Sequence, residues 1–77
     1  MPTILRNGAD RFYFFSNEND EPPHIHVDRG SLSAKFWLHP VRLAANHGFN
    51  ARDLGRLIRI VEMHEAMFLD RWHGYFG

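Results

Sequence analysis

Cysteine is absent from the 77 residues, so neither a disulfide framework nor a thiolate metal site stabilises the chain. No apolar run approaches the roughly 20 residues that a membrane-spanning helix needs. The first six residues, Met1-Pro2-Thr3-Ile4-Leu5-Arg6, lack the apolar stretch and small-residue cleavage site of a secretory leader. The expected location is cytoplasmic, with no membrane partner. Net charge is missing as well, because nine basic residues face nine acidic ones. A nucleic-acid contact would therefore have to come from a local patch, not from the field of the whole chain. Lysine is nearly absent, with eight arginines to one lysine, a bias that suits bidentate recognition of phosphate or carboxylate. No Walker loop, dinucleotide fingerprint, zinc-finger spacing or serine-nucleophile elbow occurs.

What remains is a chain with 44% hydrophobic and 14% aromatic residues. That is enough apolar surface to offset chain entropy, so residues 1–77 are expected to fold as a single domain. The length leaves no material for a second core. Six histidines are the compositional outlier, and they set the functional questions.

Period-two patterning and turn residues divide the first two thirds of the chain. Thr3 to Asn7 and Arg11 to Ser16 read as two strands around an Asn7-Gly8 turn. Asn17 to Asp20 is a polar loop, and Pro22-Pro23 holds the chain extended beyond it. His24 to Asp28 and Ser31 to Leu38 alternate on either side of Arg29-Gly30, which predicts a hairpin. Pro40 interrupts, and Val41 to Ala44 is compatible with a short fifth strand. Asn50 as cap with Asp53 in the first turn then starts a helix expected from about Ala51 to about His73.

At 100° per residue Leu54, Leu57, Ile58, Val61, Phe68 and Trp72 share one stripe, expected to pack on the sheet. Ile60, Met63 and Met67 form a second, narrower strip. This strip is read either as a protein-partner or homo-oligomer interface or as scattered apolar surface covered by Tyr75 and Phe76.

His24 and His26 stand two apart on a strand and share a face. Such a pair supplies two ligands of a tetrahedral divalent-metal site, with His64 as the natural third. It also suits general acid–base chemistry assisted by Glu62, Glu65 or Asp28. The competing reading is structural: Ile25 and Val27 pack under the helix, the imidazoles hydrogen-bond to backbone or carboxylates, and His64 packs separately. Glu65 falls near the apolar stripe, where it needs a partner such as the Trp72 N–H, a serine hydroxyl or a histidine, unless it reaches solvent at the stripe's edge.

Arg52, Arg56 and Arg59 lie on the outer helix face and are the candidate nucleic-acid contacts. Tyr13, Phe15 and Trp37 on strands offer rings on which bases stack. Interleaved acids leave the alternative of an ordinary solvated surface.

Met1-Pro2-Thr3-Ile4, Phe12 to Phe15, the string Glu21-Pro22-Pro23-His24-Ile25-His26-Val27, Ala34-Lys35 and a helix carrying Glu62, His64 and Trp72 are found in this order. Together they resemble the bacterial family catalogued as domain of unknown function 4160. The resemblance spans essentially the whole chain, with Val61 and the Asn46-His47-Gly48-Phe49 connection departing from the usual pattern. It implies a small bacterial cytoplasmic protein encoded beside another small domain in a toxin–antitoxin-like arrangement. It does not say whether His24, His26 and His64 act, bind or pack.

The expected fold is α+β, an antiparallel sheet of four or five strands with one long C-terminal helix across one face. The expected function is that of an interaction module in a two-protein toxin–antitoxin-like or regulatory system, binding protein and nucleic acid. The alternative is a small histidine-dependent hydrolase or nuclease, with or without a metal. Its catalytic candidates are His24, His26, His64 and Glu65.

Overall fold

The structure is a computed structural model that describes residues 3–15 and 20–77. Five strands, β1 (Thr3–Asn7), β2 (Asp10–Tyr13), β3 (His24–Arg29), β4 (Leu32–Leu38) and β5 (Val41–His47), are followed by α1 (Ala51–Met63) and α2 (Glu65–Phe76). The strands form one antiparallel sheet in the order β1-β2-β3-β4-β5. Each strand pairs with its sequence neighbour, and the β3–β4 connection is a tight turn in which Gly30, at φ 58°, supplies the left-handed backbone.

Alternation decides which face is dry. Phe12, Val27 and Ala34 sit opposite one another across β2, β3 and β4, as do Ile25 and Phe36, and all five are buried. Both helices cover that face. Leu57 and Val61 of α1 and Phe68 and Trp72 of α2 are buried against it, with Leu54 and Ile58 packed at its margin. Phe68 stacks on Phe12 with ring centroids 5.8 Å apart, and Trp72 meets Phe14 edge-on at 5.4 Å. The expected stripe is thus the one the sheet takes up. Ile25 and Val27 are fully buried, which turns His26 to the other face.

The helical region is two helices, not the single helix from Ala51 to His73 expected from its periodicity. His64 leaves helical geometry, at φ −106° and ψ 13°, and its backbone N–H and imidazole Nδ1–H both donate to the Ile60 carbonyl, at 3.1 and 2.9 Å. A side chain that competes for the i−4 carbonyl bends a helix without any proline. Neither cap nor stripe reveals this, because the apolar period continues across the break into Phe68 and Trp72. The start is as expected, with the Asn50 side chain accepting from the Asp53 N–H at 2.8 Å. The end lies at Phe76 instead of His73, since the aromatic tail continues the helix and Phe76 packs on Trp72 at 4.4 Å.

The starts of β2 and β4 and the end of β3 each shift by one residue, and the ends of β2 and β5 shift further. β2 ends at Tyr13, Phe14 leaving the ladder to enter the core, and Ser16 lies outside the described residues together with Asn17 to Asn19 of the polar loop. β5 continues to His47 because a bulge opposite Lys35 and Phe36 absorbs Ala44 and restores pairing at Ala45. No helix of the described residues is long and apolar enough to cross a membrane.

Candidate functional site

The helix-free face of the sheet is organised by its register. Tyr13, His26, Lys35 and Ala45 form one row across four strands, and Arg11, Asp28, Ser33 and His47 form the next. His24, Trp37 and Arg42 make a third, while Arg6 pairs with Arg11 on the β1 side. Among these strand residues the fixed charges are Arg6, Arg11, Lys35 and Arg42 against Asp28 alone, with Glu21 joining from the preceding loop. A neutral protein therefore carries one predominantly basic face.

Rings run through that face without a gap. Phe15 meets Tyr13 at 5.4 Å and His26 at 4.9 Å, and Tyr13 stacks on His26 at 5.4 Å. His26 meets His24 at 5.1 Å, and His24 meets Trp37 at 5.7 Å. Cations stand over two of these rings. The Arg11 guanidinium stands 4.4 Å from the Tyr13 centroid and the Lys35 ammonium 4.6 Å from that of Trp37. Tyr13 donates its hydroxyl to Asp28 at 3.0 Å, and Lys35 pairs with Glu21.

Two cavities open on this arrangement. One of about 290 Å³ is bounded by Tyr13, Phe15, His26, Ser33, Lys35 and His47. The other, of about 270 Å³, is bounded by Pro22, Pro23, Trp37, His39, Pro40 and Arg42.

The three candidate ligand histidines do not act as one group. His24 is fully buried, with Nδ1 2.9 Å from the Pro22 carbonyl and its ring 4.8 Å from Trp72, so it joins the open face to the helical layer. His26 is half-buried within the ring chain. His64 is held at the helix break, beside Phe68 at 5.9 Å. Among the described residues no three His, Asp or Glu side chains stand where they share a metal ion, so the residues do not fit the tetrahedral site. The physical reason is the face choice: Ile25 and Val27 take the helix-covered face, His26 points to the other, and His24, although buried, is held by the Pro22 carbonyl and Trp72 and not by His64.

Glu65 finds a histidine, although not one of the candidate three. Its Oε2 lies 2.8 Å from Nδ1 of the exposed His39, tying the β4–β5 turn to the first turn of α2. Arg52, Arg56 and Arg59 converge on one cleft of about 530 Å³ with Asn50 and Asp53, but Arg56 is engaged elsewhere. Its Nη1 donates to Asp10, which also accepts from Arg29 Nε at 2.9 Å. The hydrogen bond to Asp10 raises the Arg56 pKa above its ordinary value against a smaller lowering by burial. Asp10 is buried and was not legible as a site residue in the sequence. The only available signal is an acid at the head of a strand that ends in Phe12 and Tyr13.

Of the second helix strip, Ile60 and Met67 are partly buried and pack against the core. Met63 is 78% exposed.

Comparison with curated proteins and with solved structures gives no match. The family model described as domain of unknown function (DUF4160) matches residues 11–73. That span takes in the ring chain, its cations and both helices as far as His73, and the chain belongs to this family.

Proposed function

We propose that this chain is a single-stranded nucleic-acid-binding module that works as one component of a two-protein regulatory or toxin–antitoxin-like pair. The observation that carries the reading is the group of rings on the basic, helix-free face, in which Phe15, His26 and Trp37 reach the surface while the buried Tyr13 and the enclosed His24 pack between them. Every base presents a π-face, so a ring platform flanked by cations binds unpaired strands with little regard to sequence. A folded duplex offers no such faces to a flat sheet. Arg6, Arg11, Lys35 and Arg42 supply the phosphate contacts, and the cleft at Arg52, Arg56 and Arg59 is a secondary basic surface.

The protein partner falls to the helical layer, where Met63 leaves the nucleic-acid face free. A histidine-dependent hydrolase or nuclease draws less support, because His24 is enclosed and His64 is committed to the Ile60 carbonyl.

Fluorescence anisotropy with labelled octamers of deoxythymidine and of uridine, at several salt concentrations, tests the reading. Binding should weaken with salt, and Arg11→Ala, Lys35→Ala and Arg42→Ala should each reduce the logarithmic slope by about 0.7, the value for one phosphate of a single strand. No binding of either octamer at low salt would refute the reading. Shortened oligomer after incubation would instead support the hydrolytic alternative.

A further inference from the structure

Resting on the nucleic-acid reading, we infer that the sheet face seats two consecutive nucleotides, one base in each cavity, with the Lys35 ammonium meeting the phosphate between them. The two cavities have no lining residue in common, but a residue of one touches a residue of the other. Lys35 bounds the first and Trp37 the second, and the Lys35 ammonium lies over the Trp37 ring. Residues two apart on a strand are separated by about 7 Å, about the reach of one extended sugar–phosphate step. Each volume is at the lower edge of ligand pockets, about 300 Å³, which admits one base and its sugar and not a longer segment.

The first seat offers Phe15 and His26 as ring surfaces, with the Ser33 hydroxyl and His47 imidazole at its wall. The second offers the Trp37 ring and the Arg42 guanidinium. Phe15 is 37% exposed and Trp37 is partly buried, so each ring retains some area for a ligand.

Between the seats a carboxylate already occupies the place of a phosphate. Glu21 Oε1 is paired with Lys35 Nζ and stands 3.8 Å from His24 Nδ1, and Glu21 keeps 43% of its side chain exposed. An incoming phosphate competes with this carboxylate for Lys35, and a surface ion pair of this kind is weak enough to be exchanged. Glu21 thus sets a threshold that mononucleotides, lacking the second base, fail to cross.

The test is competition against the labelled deoxythymidine octamer by thymidine 5′-monophosphate, its 5′-phosphorylated dinucleotide and the trinucleotide, with the uridine series alongside. The dinucleotide should compete at least about tenfold better than the mononucleotide, as expected for one further base stacked on an aromatic ring. The trinucleotide should add less than that step. Phe15→Ala and Trp37→Ala, checked for native circular dichroism, should each bring the dinucleotide to within about twofold of the mononucleotide. Glu21→Gln should strengthen dinucleotide binding about threefold to tenfold.

Equal competition by mono- and dinucleotide, with the octamer still bound, would overturn the two-seat inference and leave the nucleic-acid reading standing. Unchanged or weaker binding in Glu21→Gln would remove Lys35 from the intervening phosphate and overturn it likewise. Absence of octamer binding in both series would defeat both. A larger effect in the uridine series identifies RNA as the source of the strand, and a larger effect in the thymidine series identifies DNA.

Discussion

Asp10 and Arg56, 46 residues apart, form a charged pair in which the carboxylate is fully buried and the guanidinium reaches it from the first helix. Arg29 holds the other carboxylate oxygen, so the start of β2, the end of β3 and α1 meet at one group. Arg56→Met leaves that carboxylate with one cation and should cost about 3 kcal/mol, the low end for breaking a buried ion pair because the arginine heads keep some water. Asp10→Leu combined with Arg56→Met should recover much of the loss. Urea denaturation of the two single variants and the double variant measures it, and additive losses would show the pair to be uncoupled. The raised Arg56 pKa adds no pH dependence near neutrality: a cation with a raised folded-state pKa contributes fully below its unfolded value and loses that only as pH climbs through the folded one.

Trp72 lies beneath Phe14, His24 and Phe76. Trp72→Ala should cost about 3–5 kcal/mol, a large share of what so small a domain has. Trp72→Phe should keep the fold at a lower thermal midpoint. A midpoint for the alanine variant within a few degrees of the parent would contradict this packing.

Gly48 has φ 105°, and a Cβ there would stand 2.6 Å from Leu32 Cδ2. Gly48→Ala should cost about 1–3 kcal/mol through backbone strain alone, with displacement of Leu32 adding to it. A chemical-denaturation midpoint equal to that of the parent would show that the turn relaxes.

Met63 and Met67 differ in burial, so they should differ in effect. Met63→Glu should leave stability within about 0.5 kcal/mol, whereas Met67→Glu forces a carboxylate against the core margin and should lower the thermal midpoint by several degrees. If the helical layer holds a protein partner, Met63→Glu should also reduce its co-purification from the native host without unfolding the chain.

The strand histidines should prove unequal as well. His24→Gln should destabilise by about 1–3 kcal/mol, since it disturbs a buried polar group. His26→Gln should spare stability and weaken octamer binding by removing a ring from the platform. Calorimetric titration with zinc should show no stoichiometric uptake. Zinc retained at one equivalent and lost in His24→Gln, His26→Gln and His64→Gln alike would restore the metal site.

Local periodicity was sufficient for much of this architecture. Alternation in His24–Asp28 and Ser31–Leu38 separates wet from dry faces within a strand, and the spacing from Leu54 to Trp72 defines one helical stripe, because neighbouring residues alone carry both patterns. Asn50 and Asp53 announce the helix start for the same reason. Which strand face the helices would take was open, and with it the fate of His24, His26 and His64. Packing decided it: Ile25 and Val27 took the helix-covered face, and His24 was enclosed against Trp72 all the same. The break at His64 escaped because it depends on a side chain competing for Ile60's carbonyl while the apolar period runs on undisturbed. The bulge at Ala44, the pairing of His39 with Glu65 across 26 residues and the burial of Asp10 between two arginines all rest on partners that meet only in three dimensions. The ring chain belongs with them: Tyr13, Phe15 and Trp37 were legible in the sequence as rings on which bases stack, but their meeting with His26 and His24 rests on the cross-strand register of β2, β3 and β4 and on the turn of Phe15 beyond β2.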